Sequence, residues 1–141
     1  MAPVPPPAPP LDIHQGEMFW VDIPQRQTEG AEQFGRRPFV VMSRLNINRR
    51  LKTVVVVPLT TFSDQTISPE FLASQPPYRV VIPLKEMTKD IACTSNLSPS
   101  VAKTDQVRVV DKARLVQKIG KLSQTATISV GLGLAYLFDI R

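Results

Sequence analysis

The chain has 141 residues, with 17 Lys and Arg against 12 Asp and Glu, and 43% of its residues are hydrophobic. This length predicts one compact domain, since domains cluster near roughly 100–150 residues, and the apolar fraction excludes a fully disordered chain. The single cysteine and single histidine leave no internal disulfide, no Cys/His zinc site and no support for a Ser-His-Asp or Cys-His hydrolase.

Proline dominates the N-terminal segment, where six of the 14 prolines fall in the first ten residues. Because proline lacks an N–H group, it favours polyproline II over a helix or a sheet ladder. We therefore predict a proline-rich disordered tail at 1–14 and a folded domain at 15–141. No cationic leader and no apolar segment of about 20 residues occur, which predicts a cytoplasmic protein with no membrane association.

Short runs of β-branched and aromatic residues bounded by Gly, Pro or polar residues predict a sheet. The Asn46–Arg50 segment is predicted to be a turn. The predicted strands are 16–23, 38–43, 53–59, 78–83 and 106–110, with a shorter candidate at 91–94.

After Val110 the hydrophobic period changes to that of helices. One helix is predicted after an Asp111 cap, with Leu115, Ile119 and Leu122 on its apolar face. A second is predicted after a Ser123 cap, with Ile128, Leu132 and Ala135 on its apolar face and with Leu134, Leu137 and Phe138 widening that face. A run of strands followed by helices predicts a mainly β fold with C-terminal helices (α+β), built as a small bent sheet or half-open barrel.

Positive charge is concentrated in two segments. From Arg36 to Lys52 there are six Lys and Arg residues and no acid, and from Lys103 to Lys121 there are six against Asp105 and Asp111. If these segments meet on one face they form a phosphate-attracting surface. The alternative is a pair of solvated faces that keep the protein soluble.

The available side chains suit one reaction in particular, the cleavage of RNA through its own 2′-hydroxyl. This reaction needs neither a protein nucleophile nor a metal, only alignment, proton transfer and charge stabilisation, for which arginine is well suited. The same residues are also compatible with an inert binding module.

The order of several motifs resembles the MazF/PemK (Kid) toxins, which are sequence-specific endoribonucleases of type II toxin–antitoxin systems. The matching segments cover the chain from about Gly16 to the C-terminus. They are 16–22 (GEMFWVD), 30–41 (GAEQFGRRPFVV), 48–49 (NR), 56–60 (VVPLT), 105–115 (DQVRVVDKARL) and 119–123 (IGKLS).

The resemblance implies an SH3-like or CcdB-like small β-barrel and a homodimer that cleaves single-stranded mRNA in its groove. The implied products are a 2′,3′-cyclic phosphate and a 5′-hydroxyl, with no metal or cofactor, and the implied protein partner is a cognate antitoxin. The implied catalytic residues are Arg37, Thr60 and Asp105. The candidate RNA-binding residues are Glu32, Gln33, Arg36, Arg49, Lys103, Gln106 and Arg108.

Structural alternatives remain for the catalytic residues: Arg37 could pair with Glu32, Thr61 adjoins Thr60, and Asp105 could brace its own segment. Some Kid-type toxins have histidine at the position of Ala31 and arginine at that of Lys103, which leaves the general base open. Two other functions also stay open, a CcdB-like gyrase poison and a catalytically weakened RNA-binding module.

Overall fold

The computed structural model describes residues 12–24, 35–62 and 68–140. Three short 3-10 turns cover 84–86, 104–106 and 112–114. The strands in these ranges are β1 (Glu17–Ile23), β2 (Gly35–Val41), β3 (Thr53–Thr61), β4 (Arg79–Ile82), β5 (Met87–Lys89), β6 (Ser100–Lys103), β7 (Arg108–Asp111) and β8 (Leu115–Leu122). The helices are α1 (Leu45–Arg50), α2 (Pro69–Ser74) and α3 (Gln124–Leu137).

The strands pair antiparallel in the order β4-β6-β3-β2-β1-β8-β5, with β7 also paired to β3. β3 is long enough to pair with β7 through its first half and with β6 through its second. The sheet curls into a half-barrel, and α3 packs against β4, β8 and the 104–106 turn. This architecture confirms the predicted mainly β fold.

The second half of β2, from Phe39, and most of β3 are buried on both faces. On β3, Val54 and Val56 pack in one apolar cluster with Phe39, whereas Val57 and Leu59 pack in a second cluster with α3. Because both faces of these strands are covered, their sequences are continuous apolar runs rather than alternating ones.

The prediction of a helix after Asp111 was wrong. Asp111 caps only the 112–114 turn, by accepting a hydrogen bond from the Ala113 N–H at 2.9 Å, and 115–122 form β8 between β1 and β5. The pairing of β8 with β1 shifts register twice, and such bulges disturb the two-residue period of a strand. A Cβ atom on Gly120 would lie 2.1 Å from the Thr88 carbonyl oxygen, so the close approach of β5 requires glycine there.

The helix predicted after Ser123 is confirmed, and Leu134 of its predicted apolar face packs against the core, but the placing of Ile128 and Leu132 on the buried face was wrong. The Ser123 hydroxyl accepts a hydrogen bond from the Ala126 N–H at 3.0 Å. The side facing the sheet carries Ala126, Val130 and Gly133, whereas Ile128 and Leu132 are 55% and 65% exposed. The sheet takes the face with small residues because the backbone comes close: a Cβ on Gly133 would lie 2.9 Å from a Val80 methyl carbon.

Two shorter predictions were also wrong. The segment predicted as a turn is helix α1, on which buried Asn48 donates hydrogen bonds to the carbonyl oxygens of Ile13 and Ser43 at 2.8 and 2.9 Å. Residues 91–94 form no strand; the strands in this region are β5 and β6, on either side of that segment.

The described chain begins inside the predicted tail. Ile13 packs against the cluster that contains Phe39, and the backbone N–H of His14 donates to a carboxylate oxygen of Glu17 at 2.5 Å. The rest of the predicted tail, 1–11, lies outside the described residues. Among the helices in the described ranges, none is both long and apolar enough to cross a bilayer.

Candidate active site

A pocket of about 470 Å³ opens where β1, β2 and β3 lie side by side. β2 begins with two exposed arginines before Pro38, and β3 ends in two threonines. The lining residues are Trp20, Arg36, Arg37, Pro38, Leu59, Thr60 and Thr61.

Strand register brings Arg37 and Thr60 together. Phe39 of β2 is paired with Pro58 of β3, and continuing this antiparallel register by two residues sets Arg37 opposite Thr60. Both side chains line the pocket. Residues predicted as catalytic from distant parts of the sequence therefore share one cavity.

The described lining of this pocket is positively charged. It contains two guanidinium groups and no carboxylate, and arginine stays protonated at physiological pH. Two arginine forks beside a threonine hydroxyl provide several hydrogen-bond donors, a set that suits a phosphate group.

Asp105 lies elsewhere, in the 104–106 turn after β6, and it does not line the pocket. Its carboxylate accepts two hydrogen bonds from Arg79 on β4, from Nε and Nη2, both at 2.9 Å. These bonds hold the pKa of Asp105 below its ordinary value, although partial burial acts in the opposite direction. A carboxylate held ionised in this way is a weak proton acceptor.

The candidate RNA-binding residues are spread over several elements. Arg36 lines the pocket, while Arg49 of α1 donates two hydrogen bonds to Asp12 at 3.0 and 2.7 Å. Lys103 ends β6, Gln106 lies in the 104–106 turn, and Arg108 begins β7 opposite Val56. Glu32 and Gln33 lie outside the described residues.

Sequence reasoning missed two residues of this region. Trp20 lines the pocket, but in the sequence it is indistinguishable from any aromatic residue of a strand. Arg79 binds Asp105, which lies 26 residues further along the chain, and no local sequence pattern predicts such a pair. No group of three or more His, Cys, Asp or Glu side chains suited to a metal ion occurs in the ranges 12–24, 35–62 and 68–140.

Known proteins with similar sequences and folds belong to one group. The chain is 29% identical over 118 residues to the protein named endoribonuclease MazF of Staphylococcus epidermidis, which covers 84% of each chain. MazF from Deinococcus radiodurans has a similar fold, with a TM-score of 0.67 at 20% identity over 92% of this chain and 99% of that one.

A mycobacterial endoribonuclease solved in complex with its cognate antitoxin superposes with a TM-score of 0.63 at 17% identity, over 92% of this chain and 97% of that one. Residues 14–138 also match the family described as "PemK-like, MazF-like toxin of type II toxin-antitoxin system". Since this match spans most of the chain, the protein belongs to the PemK/MazF family of toxins.

Proposed function

We propose that the protein is a sequence-specific endoribonuclease toxin that cleaves single-stranded mRNA at the pocket lined by Arg37 and Thr60. The observation that carries this proposal is that these two side chains, from neighbouring strands, line one pocket whose described lining has no carboxylate. A polyanion that brings its own nucleophile fits such a site, since RNA supplies the 2′-hydroxyl and DNA does not.

In the proposed reaction the 2′-oxygen attacks the adjacent phosphorus and the bond from phosphorus to the 5′-oxygen breaks. The products are a 2′,3′-cyclic phosphate and a free 5′-hydroxyl. Arg37 stabilises the charge that develops on the phosphorane and donates a hydrogen bond toward the leaving oxygen, because its fork matches phosphate geometry. Thr60 donates its hydroxyl hydrogen to a non-bridging oxygen and orients the phosphate for in-line attack.

In the proposed step, solvent water takes the proton that leaves the 2′-hydroxyl, and solvent water supplies the proton that reaches the 5′-oxygen. Arginine serves as a hydrogen-bond donor in this step and not as an acceptor at physiological pH. Asp105 is predicted as a catalytic residue with the general base left open, and its two hydrogen bonds with Arg79 weigh against its acting as that base. In our proposal Asp105 is a positioning residue that holds the 104–106 turn against β4.

The proposed partners are a second copy of the chain and an antitoxin. Helix α3 carries no charged residue in a chain of net charge +5, and Ile128, Leu132 and Tyr136 form an exposed apolar stripe on it. A second copy would cover this neutral stripe without bringing like charges together. Leu132→Glu should convert a dimer to monomer in sedimentation experiments, and a wild-type chain that is monomeric at all concentrations would contradict the dimer.

An antitoxin partner is proposed because the similar mycobacterial endoribonuclease is solved in complex with its cognate antitoxin, and we propose that an acidic segment of this partner covers the positively charged pocket. Such a segment would compete with RNA for the same arginines. Action on mRNA also implies a cytoplasmic protein.

The test is to incubate the pure protein with a long single-stranded RNA in EDTA and to map the ends. Discrete cuts with cyclic-phosphate ends that disappear in Arg37→Ala support the proposal. RNA that is bound but intact would instead indicate a weakened RNA-binding module. Neither binding nor cleavage would favour the gyrase-poison alternative.

A further inference from the structure

A small recess adjoins the pocket and shares four of its residues. Its volume is about 60 Å³. Trp20, Pro38, Leu59 and Thr61 line both cavities. The recess therefore continues the pocket, and neither Arg36 nor Arg37 lines it.

The recess has an apolar floor and a polar rim. Of its lining residues, Met18 and Ile119 are buried and form the floor, whereas Asn96 is exposed and Ser98 half-buried, which puts them at the rim. Leu97, between these two rim residues, packs against the core cluster under α3. This packing holds Asn96 and Ser98 at the mouth of the recess, one on each side of an anchored leucine.

The backbone fixes this rim against the end of β3. Phe62, the residue after β3, donates its N–H to the Pro99 carbonyl oxygen at 3.0 Å, and the Ser100 hydroxyl donates to the Ser98 carbonyl oxygen at 3.1 Å. Within the described part of the chain, the side chains of Asn96 and Ser98 have no hydrogen-bond partner. A side-chain amide and a hydroxyl are thus held in place with donors and acceptors available for a ligand.

Trp20 joins the two cavities. It is half-buried, packs against the core under α3, and lines both cavities, the larger of which Arg37 also lines. The recess holds about two waters, at roughly 30 Å³ each, which is too small for a whole nucleotide but sufficient for the edge of a base that lies over the indole in the larger pocket.

We propose that the recess bounded by Trp20, Asn96 and Ser98 is a subsite that reads the nucleobase next to the scissile phosphate. Trp20 stacks on the base, as aromatic side chains do with unpaired RNA bases. Asn96 and Ser98 form hydrogen bonds with the edge of the base that enters the recess. This inference rests on the proposed RNA cleavage at Arg37 and adds a specificity-determining site to it.

The first experiment maps cleavage sites of wild type, Asn96→Ala and Ser98→Ala on a long RNA of mixed sequence. Asn96→Ala should reduce discrimination at one position of the recognised sequence by about 5- to 150-fold, the range that one well-made side-chain contact to a base supplies, with a smaller loss for Ser98→Ala. The matched control is Thr94→Ala, an exposed neighbour that lines neither cavity. Unchanged preference at every position in Asn96→Ala would overturn the subsite.

A second measurement separates failure of the subsite from failure of the enzyme. Trp20 is the only tryptophan of the chain, so its fluorescence reports stacking directly. The probes are four short oligoribonucleotides with 2′-O-methyl groups, which cannot be cleaved, differing in one base. Quenching that depends on this base, and loses that dependence in Asn96→Ala, supports the subsite even if no RNA is cut. Sequence-specific cleavage without quenching by any of the four probes would support the proposed endoribonuclease activity and overturn the subsite.

Discussion

The pocket at β2 and β3 and the contact between β4 and the 104–106 turn both contain arginine, in different electrostatic surroundings. Arg36 and Arg37 line a pocket whose described lining has no carboxylate. Arg79 instead donates two hydrogen bonds to Asp105, and each of these side chains is 29% exposed. The first arrangement attracts phosphate. In the second, the Asp105 carboxylate neutralises the charge of Arg79, and the pair fixes the 104–106 turn.

This difference shows that a basic segment is not a uniform surface. Of the cations between Arg36 and Lys52, two line the pocket, but Arg49 is bound by Asp12. An arginine that donates two hydrogen bonds to a carboxylate attracts RNA less strongly, because the carboxylate neutralises its charge. We therefore expect the arginines that line the pocket to matter for cleavage, and we expect Arg49 and Arg79, which carboxylates bind, to matter for stability.

The largest effect is expected for Arg37. Arg37→Ala should lower the single-turnover rate of RNA cleavage by about 10²- to 10³-fold, the loss that follows removal of one donor to a transition-state charge. Arg37→Lys should recover only part of the rate, because lysine keeps the charge without the fork. Arg44→Ala, an exposed arginine outside the pocket, is the control, and an equal loss in that variant would contradict the assignment.

Thr60 is expected to contribute less. Thr60→Val keeps the shape and removes the hydroxyl, and should slow cleavage by about 10- to 100-fold if one hydrogen bond to a charged oxygen is lost. Thr61→Val is the matched variant, since Thr61 lines the same pocket. A greater loss in Thr61→Val would transfer the role to that residue.

For the Arg79–Asp105 pair the expected effect is on stability. Asp105→Asn and Arg79→Gln should each lower the free energy of unfolding by about 1 kcal/mol, and the double variant should lose little more than either single one. Urea unfolding of the wild type, the two single variants and the double variant measures these free energies as a double-mutant cycle. A fall of 10²-fold or more in the cleavage rate of Asp105→Asn, with loss of the acidic limb of the pH–rate profile, would instead identify Asp105 as the general base.

The same pair predicts a pH dependence of stability. The pKa of Asp105 is lower in the folded chain because of Arg79, so its contribution is complete above the unfolded pKa and is lost as the pH falls through the folded pKa, below about pH 4. The stability difference between wild type and Asp105→Asn should be constant near neutral pH and shrink in acid. A difference that grows in acid would contradict the sign.

The smallest expected effect is on the salt dependence of RNA affinity, which we compare between a variant of Arg36 in the pocket and a variant of Arg49 outside it. Arg36→Ala should reduce the slope of log affinity against log salt by about 0.7, the value for one phosphate contact on a single strand. Arg49→Ala should leave this slope nearly unchanged, since Asp12 already holds Arg49. Binding of a 2′-O-methyl oligonucleotide at several salt concentrations measures both. An equal reduction of this slope in both variants would show that Arg49 also contacts RNA.

Part of this arrangement could be predicted locally. The strands around Phe39 and Val56, the Ser123 cap of α3 and the family are confirmed by the fold and the family match. The roles of Arg37 and Thr60 stay predictions. Arg37 and Thr60 lie on two neighbouring strands, β2 and β3, and the register of these strands brings both residues to one pocket.

The wrong predictions share a physical cause. The apolar spacing of Leu115, Ile119 and Leu122 fits a helix, but pairing with β1 and β5 overrides it. On α3 both sides are apolar, and the sheet takes the one with Gly133, where backbones can approach. Local spacing cannot weigh these contacts, because each depends on residues distant in sequence.

The sequence by itself determined the family, the mainly β class and the concentration of cations near β2, because these follow from short motifs, β-branched runs and charge counts. Tertiary structure alone decided that Arg36 and Arg37 share a pocket with Thr60, that Arg79 binds Asp105, and that Trp20 joins the pocket to the Asn96 recess. Hydrogen bonds and cavities depend on distances in space, and strand register sets those distances between residues far apart in the chain.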